Sequence, residues 1–383
     1  MPSSGGASAG GSTGTNGGAS GTTAGSSGSA GASQSGGSAN GDASANGGAS
    51  ANGGASANGG SGGADSGGAS GGGSTGTGGA TPIGEASSFH CVNWADRRDN
   101  YVDGLLELSG LSSSTDTYAT VEAKATDILS EFQEKLDANA VRIPINEPTV
   151  ASAWWNAYKA VIDVAAARGM KVIVAYWAFQ NGKPDNVDAF MDMWRVVVSA
   201  YRSNNLVYFD IHNEPYGYGD SWRQAAADWL TAFPDVPRGR VIVAGTGYDD
   251  DVRPVGGDSR FAGCLLELHI YGFWHTSWTG QQQWRDDMTS SLGAYASRTI
   301  VGEWGAPMTT GMDYNVNADG DAYRSYVRAV SDVMHREGMG SCYWPGLRNG
   351  DSYSMTRLNN GTPLTLTVTN ASGLERLHWA WNL

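Results

Sequence analysis

From residue 90 onward the chain alternates short apolar runs with longer stretches whose apolar positions recur every three or four residues. The short runs are His90–Asn93, Ala140–Ile145, Lys171–Tyr176, Val207–His212, Val241–Ala244, Leu265–Ile270, Thr299–Glu303 and Ser341–Trp344. They lack strict apolar–polar alternation, the pattern of strands buried on both faces. Helical periodicity covers Val121–Leu136, Ala153–Arg168, Val187–Arg202, Trp222–Phe233, Gln281–Ala296 and Ala322–Glu337, with Leu374–Trp381 as a last helix. Only the fifth connection, Gly245–Gly263, reads as irregular loop, rich in turn residues and carrying Asp249-Asp250-Asp251.

Alternating strands and helices predict parallel strands joined by right-handed crossovers. Eight such units close into a (β/α)8 barrel, the TIM barrel; a doubly wound open sheet is the alternative. The barrel is favoured because polar and aromatic residues of chemical interest end many different strands. In a barrel those ends form one ring, whereas an open sheet concentrates function at a switch point.

Before residue 80 the pattern disappears. This segment holds over half of the 56 glycines, with no lysine, arginine or aromatic residue, and Ala-Asn-Gly-Gly-Ala-Ser recurs between Ala45 and Gly60. Such a composition has too little to bury to offset the entropy of ordering, so residues 1–85 are expected to form a disordered Gly/Ser/Ala/Asn-rich linker. Residues 86–383 are expected to form the single barrel domain. All 14 tryptophans lie there.

A net charge of −14 disfavours nucleic acid and anionic membranes as partners. No apolar run approaches the roughly 20 residues of a membrane span. The start, Met1-Pro2-Ser3-Ser4, shows no signal-peptide pattern. The three cysteines, Cys91, Cys264 and Cys342, sit in apolar runs without zinc-ligand spacing. They read as buried free thiols. A Cys91–Cys342 bridge is the alternative, since the first and last strands of a closed barrel are neighbours; Cys264 stays free in either case.

Two strand ends carry the strongest chemical signal: Asp210-Ile211-His212-Asn213-Glu214-Pro215 and Val301-Gly302-Glu303-Trp304-Gly305. Two carboxylates on one rim suit glycosidic bond cleavage, one as acid/base and the other as nucleophile. Other strand ends add Asn93-Trp94, Arg142, Tyr176-Trp177, His269 with Tyr271, and Trp344. Asn-Glu-Pro after the fourth strand, His-x-Tyr after the sixth, Glu-Trp-Gly after the seventh and a tryptophan ending the eighth together resemble glycoside hydrolase family 5, the cellulase-like retaining enzymes. The resemblance spans residues 86–383, and Val141-Arg142-Ile143-Pro144-Ile145 resembles the family's arginine strand.

The resemblance implies Glu214 as acid/base, Glu303 as nucleophile and Asn213 as a ligand of the sugar 2-hydroxyl. It implies Arg142 and Tyr271 as holders of the nucleophile, His269 as support for the acid/base, and Trp344 as a sugar platform. Trp177 and Trp274 are expected to add stacking surface, since flat indole faces suit pyranose C–H faces. The tryptophans in helical stretches, Trp154, Trp155, Trp194, Trp222, Trp229, Trp284 and Trp379, are expected to pack. One departure stands out: the family's histidine at the end of the third strand is absent from Val172-Ile173-Val174-Ala175-Tyr176-Trp177. His212 is the one nearby candidate to substitute.

Arg348, Asp351 and Tyr353, in the loop after the eighth strand, read either as a subsite wall or as an ordinary polar loop. Asp249-Asp250-Asp251 lacks the alternate spacing of a calcium loop, so no metal and no cofactor is expected. The sequence reading is therefore an endo-acting retaining hydrolase of a β-linked polysaccharide, with β-1,4-glucan as the first substrate. Mannan, xylan and mixed-linkage glucan are the enzymatic alternatives, and a non-catalytic carbohydrate-binding barrel is the rival from another class. A monomer acting outside the cell or at its surface is expected.

Overall fold

A computed structural model describes residues 86–98 and 102–383. The expected linker, residues 1–85, lies outside the described residues. Eight parallel strands follow in chain order: β1 His90–Trp94, β2 Ala140–Ile145, β3 Lys171–Trp177, β4 Val207–Asn213, β5 Val241–Ala244, β6 Leu265–His269, β7 Thr299–Trp304 and β8 Ser341–Leu347. Each pairs with the next, and β8 pairs with β1, so the sheet closes into the expected barrel.

Closure brings Cys91 opposite Cys342 in register, and the two form a disulfide. The reading of these two cysteines as free thiols is thereby corrected: the seam of the barrel places them side by side. Cys264 is free and buried.

The helices are α1 Tyr118–Leu136, α2 Glu147–Ala151, α3 Trp155–Tyr158, α4 Ala160–Ala167, α5 Val187–Tyr201, α6 Trp222–Ala232, α7 Arg253–Gly256, α8 Gln281–Leu292, α9 Ala322–Glu337 and α10 Ala371–Ala380. Their limits follow local chemistry. Thr117, Asn186, Asp321 and Asn370 cap the starts of α1, α5, α9 and α10 with side-chain oxygens, and Gly338 ends α9 in the left-handed conformation.

Three stretches differ from expectation; in the first, the connection Gly245–Gly263, read as irregular loop, holds the one-turn helix α7. The single helix over Ala153–Arg168 is instead broken. It begins at Trp155 and divides at Lys159 into α3 and α4, the backbone of Lys159 staying right-handed; just upstream, Ser152 ends α2 with an extended backbone, its Oγ donating to Thr149 O and accepting from Trp154 N. After β8 the chain adds an antiparallel hairpin, β9 Thr356–Asn359 and β10 Thr365–Val368, joined to the barrel at Leu347↔Thr356. The Asn360-Gly361 turn was its sequence signal.

Inside the barrel every strand contributes one side chain to a lower layer: Cys91, Ala140, Ile173, Tyr208, Ile242, Leu265, Ile300 and Cys342. These residues pack as a plug, not a pore. The functional residues stand on it.

Candidate active site

Side chains on a strand alternate between faces, so residues two and four beyond the apolar layer also point inward. Counting on gives Asn93, Arg142, Ala175 and Trp177, Asp210, Glu267 and His269, and Trp344; on β4 and β7 register shifts break the count, so that Asn213 and Glu303, not His212 and Trp304, stand beside Trp177 and His269. The plug is apolar; the layer above it is charged.

Arg142 is fully buried at its centre. Its Nη1 donates to Glu303 Oε1 at 2.9 Å and to Asn93 Oδ1 at 3.2 Å. Its Nη2 donates to Asp210 Oδ2 at 2.8 Å and to Asn213 Oδ1 at 2.7 Å. Its Nε lies 3.0 Å from Glu267 Oε1. Burial opposes its charge, but Glu267, Asp210 and Glu303 outweigh that and hold it protonated.

Glu303 receives a second donor, Tyr271 Oη, at 2.7 Å on Oε2. Burial raises its pKa, while His269, Arg142 and the Tyr271 bond pull the other way. Glu214 reaches the same place from β4: its Oε1 is 3.1 Å from His269 Nδ1, which is 3.7 Å from Glu303 Oε2. Carboxyl oxygens of Glu214 and Glu303 therefore come within 4.8 Å of each other around one imidazole.

His269 is wholly buried. Burial disfavours its charged form, yet Glu303, Asp249 and the bonds to Glu214 and Glu267 push its pKa well up. Below it, burial and the facing Glu267 carboxyl push Asp210 well above the carboxylate range. Burial also works against ionised Glu267, but Arg142 and His269 bring it down to about 2. Two triads, Glu214–His269–Glu303 and Asp249–Glu267–His269, have donor atoms close enough to share an ion. In this site the facing positive groups are Arg142 and His269 themselves.

The aromatic wall lies across the mouth. Trp177 and Trp344 are 6% and 5% exposed, with ring centroids 5.2 Å apart, and they cluster with Ala95, Ala175 and Tyr271. Trp274 packs against that cluster, edge-on to Tyr271. Glu214, Glu303, Arg142, Asn213, His269, Tyr271, Trp177, Trp274 and Trp344 are thus gathered at one end of the barrel.

Other residues fall elsewhere. His212 points away from the site, packed among Tyr176, Tyr218 and Trp222, and burial takes its pKa down to about 3. It does not replace the missing histidine; Trp177 ends β3. Trp304 is core, edge-on to Tyr343. Trp379 is half-exposed and stacked on His335, where packing was expected. Arg348 and Asp351 pair at 3.3 Å and line a separate pocket of about 470 Å³ beside the hairpin, whose lining includes neither glutamate.

Sequence reading missed Asp210 and Glu267, because buried acids inside apolar strands look like strand filler. The inward count from the plug would have found both. It also missed Gly302, whose absent side chain makes room for Glu267: a Cβ there would fall 1.6 Å from Glu267 Oε1.

The fold is a (β/α)8 barrel whose one end gathers two facing glutamates and an aromatic wall. The cellulase model, glycosyl hydrolase family 5, matches residues 99–349. The chain belongs to that family and is a glycosyl hydrolase. Among solved structures it is similar to an endocellulase from Pyrococcus horikoshii complexed with cellotetraose, at 14% identity and TM-score 0.56, covering 76% of this chain and 92% of that one. It is also similar to an endo-β-1,4-glucanase from Xanthomonas axonopodis pv. citri, at 15% identity, TM-score 0.50, and 76% and 98% coverage. A cellulase from an Icelandic hot spring isolate aligns at 12% identity, TM-score 0.50, and 79% and 98% coverage. No curated protein matches the chain.

Proposed function

We propose that this enzyme hydrolyses a β-1,4-glucan internally, with retention, by double displacement. The observation that carries the reading is the approach of Glu214 and Glu303 carboxyl oxygens within 4.8 Å. Retaining enzymes hold their carboxyls about 5–5.5 Å apart, and inverting ones about 6.5–9.5 Å to admit a water.

Roles follow from surroundings. Glu303 is gripped by two donors, Arg142 and Tyr271, which favour the anion needed for attack. Glu214 is the less buried of the two and faces an imidazole. In the first step a Glu303 oxygen bonds to the anomeric carbon, the glycosidic C–O bond breaks, and the Glu214 proton goes to the leaving oxygen. In the second, Glu214 takes a proton from water, the water oxygen bonds to the anomeric carbon, and the Glu303 ester bond breaks. Asn213, oriented by Arg142, is the ligand for a sugar hydroxyl. Trp344, Trp177 and Trp274 supply apolar faces for the sugar rings.

The glucan substrate is supported by the family's cellulase description and by the cellotetraose held by the Pyrococcus enzyme. Action outside the cell is supported by the Cys91–Cys342 disulfide, since such bonds persist in oxidising compartments.

Reducing-sugar release from cellulose derivatives, mixed-linkage glucan, mannan and xylan tests the substrate, with the cellulose derivative expected to lead. Intact-mass spectrometry of Glu214→Gln with an activated aryl β-glycoside tests the roles. A glycosyl adduct should accumulate, because the first step needs little acid and the second lacks its base. No adduct, with equal losses on activated and natural substrates, would reject the assignment.

A further inference from the structure

Asn213 and Glu214 are consecutive, yet both face the site. Consecutive strand residues point to opposite faces, so the strand must break its alternation between them. It does so at Glu214, whose φ of 49° is left-handed, a conformation that costs a non-glycine residue free energy. Something must hold it there.

The usual holder, the next strand, is missing. β5 is only four residues long and pairs with β4 only at Phe209↔Val241 and Asp210↔Ile242. The chain after β5 turns back instead: Thr246 N donates to Asp251 O at 2.9 Å, and Gly247 takes a φ of 67°. This turn carries Asp249 into the gap between β4 and β6. Its Oδ2 accepts the Glu214 N–H at 3.1 Å, and its carbonyl accepts the His269 N–H at 2.8 Å. The same Oδ2 lies 3.5 Å from His269 Nε2. Asp249 is wholly buried and itself left-handed, with a φ of 60°.

We propose that Asp249 is a positioning residue for the acid/base: it stands in for the missing end of β5, holding the Glu214 backbone in its left-handed turn through its side chain and the His269 backbone through its carbonyl. The proposal rests on Glu214 being the acid/base. A carboxamide keeps an oxygen where the Glu214 N–H can donate to it, so asparagine preserves the acceptor that alanine removes.

The test compares Asp249→Ala and Asp249→Asn on a soluble β-glucan and on an activated aryl β-glycoside, with stopped-flow measurement of the first step. General acid catalysis contributes about 10²- to 10⁴-fold, so a displaced Glu214 in Asp249→Ala should lose roughly 10- to 100-fold on the glucan. The first step on the aryl substrate should stay within about threefold, because it needs little protonation. Its second step should slow, and azide, a nucleophile that needs no base, should restore turnover. Asp249→Asn should recover most of the glucan activity through its amide oxygen. If Asp249→Ala does not fold, Asp249→Ser, which shortens the acceptor, takes the same measurements. Equal losses on both substrates without azide rescue, no loss at all, or an asparagine variant as impaired as alanine would each overturn the proposal. A wild-type enzyme inert on every β-glycan would instead strike at the functional reading beneath it.

Discussion

Replacing Tyr271 with phenylalanine removes one hydroxyl, and the site geometry says which half of the reaction should suffer. That hydroxyl donates to Glu303 Oε2 at 2.7 Å, one of two strong donors to the carboxylate. Hydrogen bonds to charged groups contribute about 1.5–3 kcal/mol. The transition state is oxocarbenium-like, so the carboxylate is still largely ionised there. In the first step the bond is present at start and summit alike, and its loss nearly cancels above the Glu303 pKa. In the second step a neutral ester must regenerate the anion, and the lost bond is felt in full. Release of the sugar should slow by roughly 10- to 150-fold, since about 1.36 kcal/mol is tenfold.

The pH profile should move as well. Burial raises the Glu303 pKa and the Tyr271 bond lowers it, so losing the bond raises it further. The acid limb of the first step should shift to higher pH by about one to two units at 1.36 kcal/mol per unit. Pre-steady-state kinetics with an activated aryl β-glycoside reads both effects, as a larger burst followed by a slower steady state. An unchanged acid limb with no burst, or a first step slowed as much as the second, would refute the reasoning.

Replacing Cys91 and Cys342 together by serine opens a loop spanning 251 residues and should cost roughly 5 kcal/mol in the chain-entropy account, read as a lower unfolding temperature without reductant. Arg142→Leu leaves Asp210, Glu267 and Glu303 without their shared cation and should destabilise by about 3–5 kcal/mol in urea titration, with little soluble protein recovered. Trp177→Ala opens the wall beside Trp344 and should raise KM for oligosaccharides more than it lowers kcat, by roughly tenfold for a lost stacking and burial contribution near 1.4 kcal/mol. Gly302→Ala drives a methyl into Glu267 and should depress activity and melting temperature together.

The barrel was legible because its strands are uniform apolar runs with helical spacing between them, as Ala140–Ile145 and Val241–Ala244 illustrate by matching residue for residue. Helix continuity was less so, since the periodic stretch Ala153–Arg168 divides at Lys159 into two short helices while its apolar spacing runs on through the division. The two glutamates were visible as strand-end motifs. Their buried supports were not, because Asp210 and Glu267 acquire meaning only once the barrel brings them around Arg142. His212 shows the converse error. It is adjacent to Asn213 in sequence, but it packs against Trp222 on the outer side of the strand.

The fit of Glu267 into the hollow left by Gly302 constrains history as well as packing. A carboxylate at 267 and any side chain at 302 cannot coexist without displacement, so neither position was free to drift alone. A side chain at 302 is compatible only with a displaced or smaller residue at 267. Once the acid was engaged with Arg142 and His269, the way back was shut. In chains descended from the same ancestor, the two sites should change as a pair, and a lone alanine at 302 should be accompanied by a smaller residue at 267.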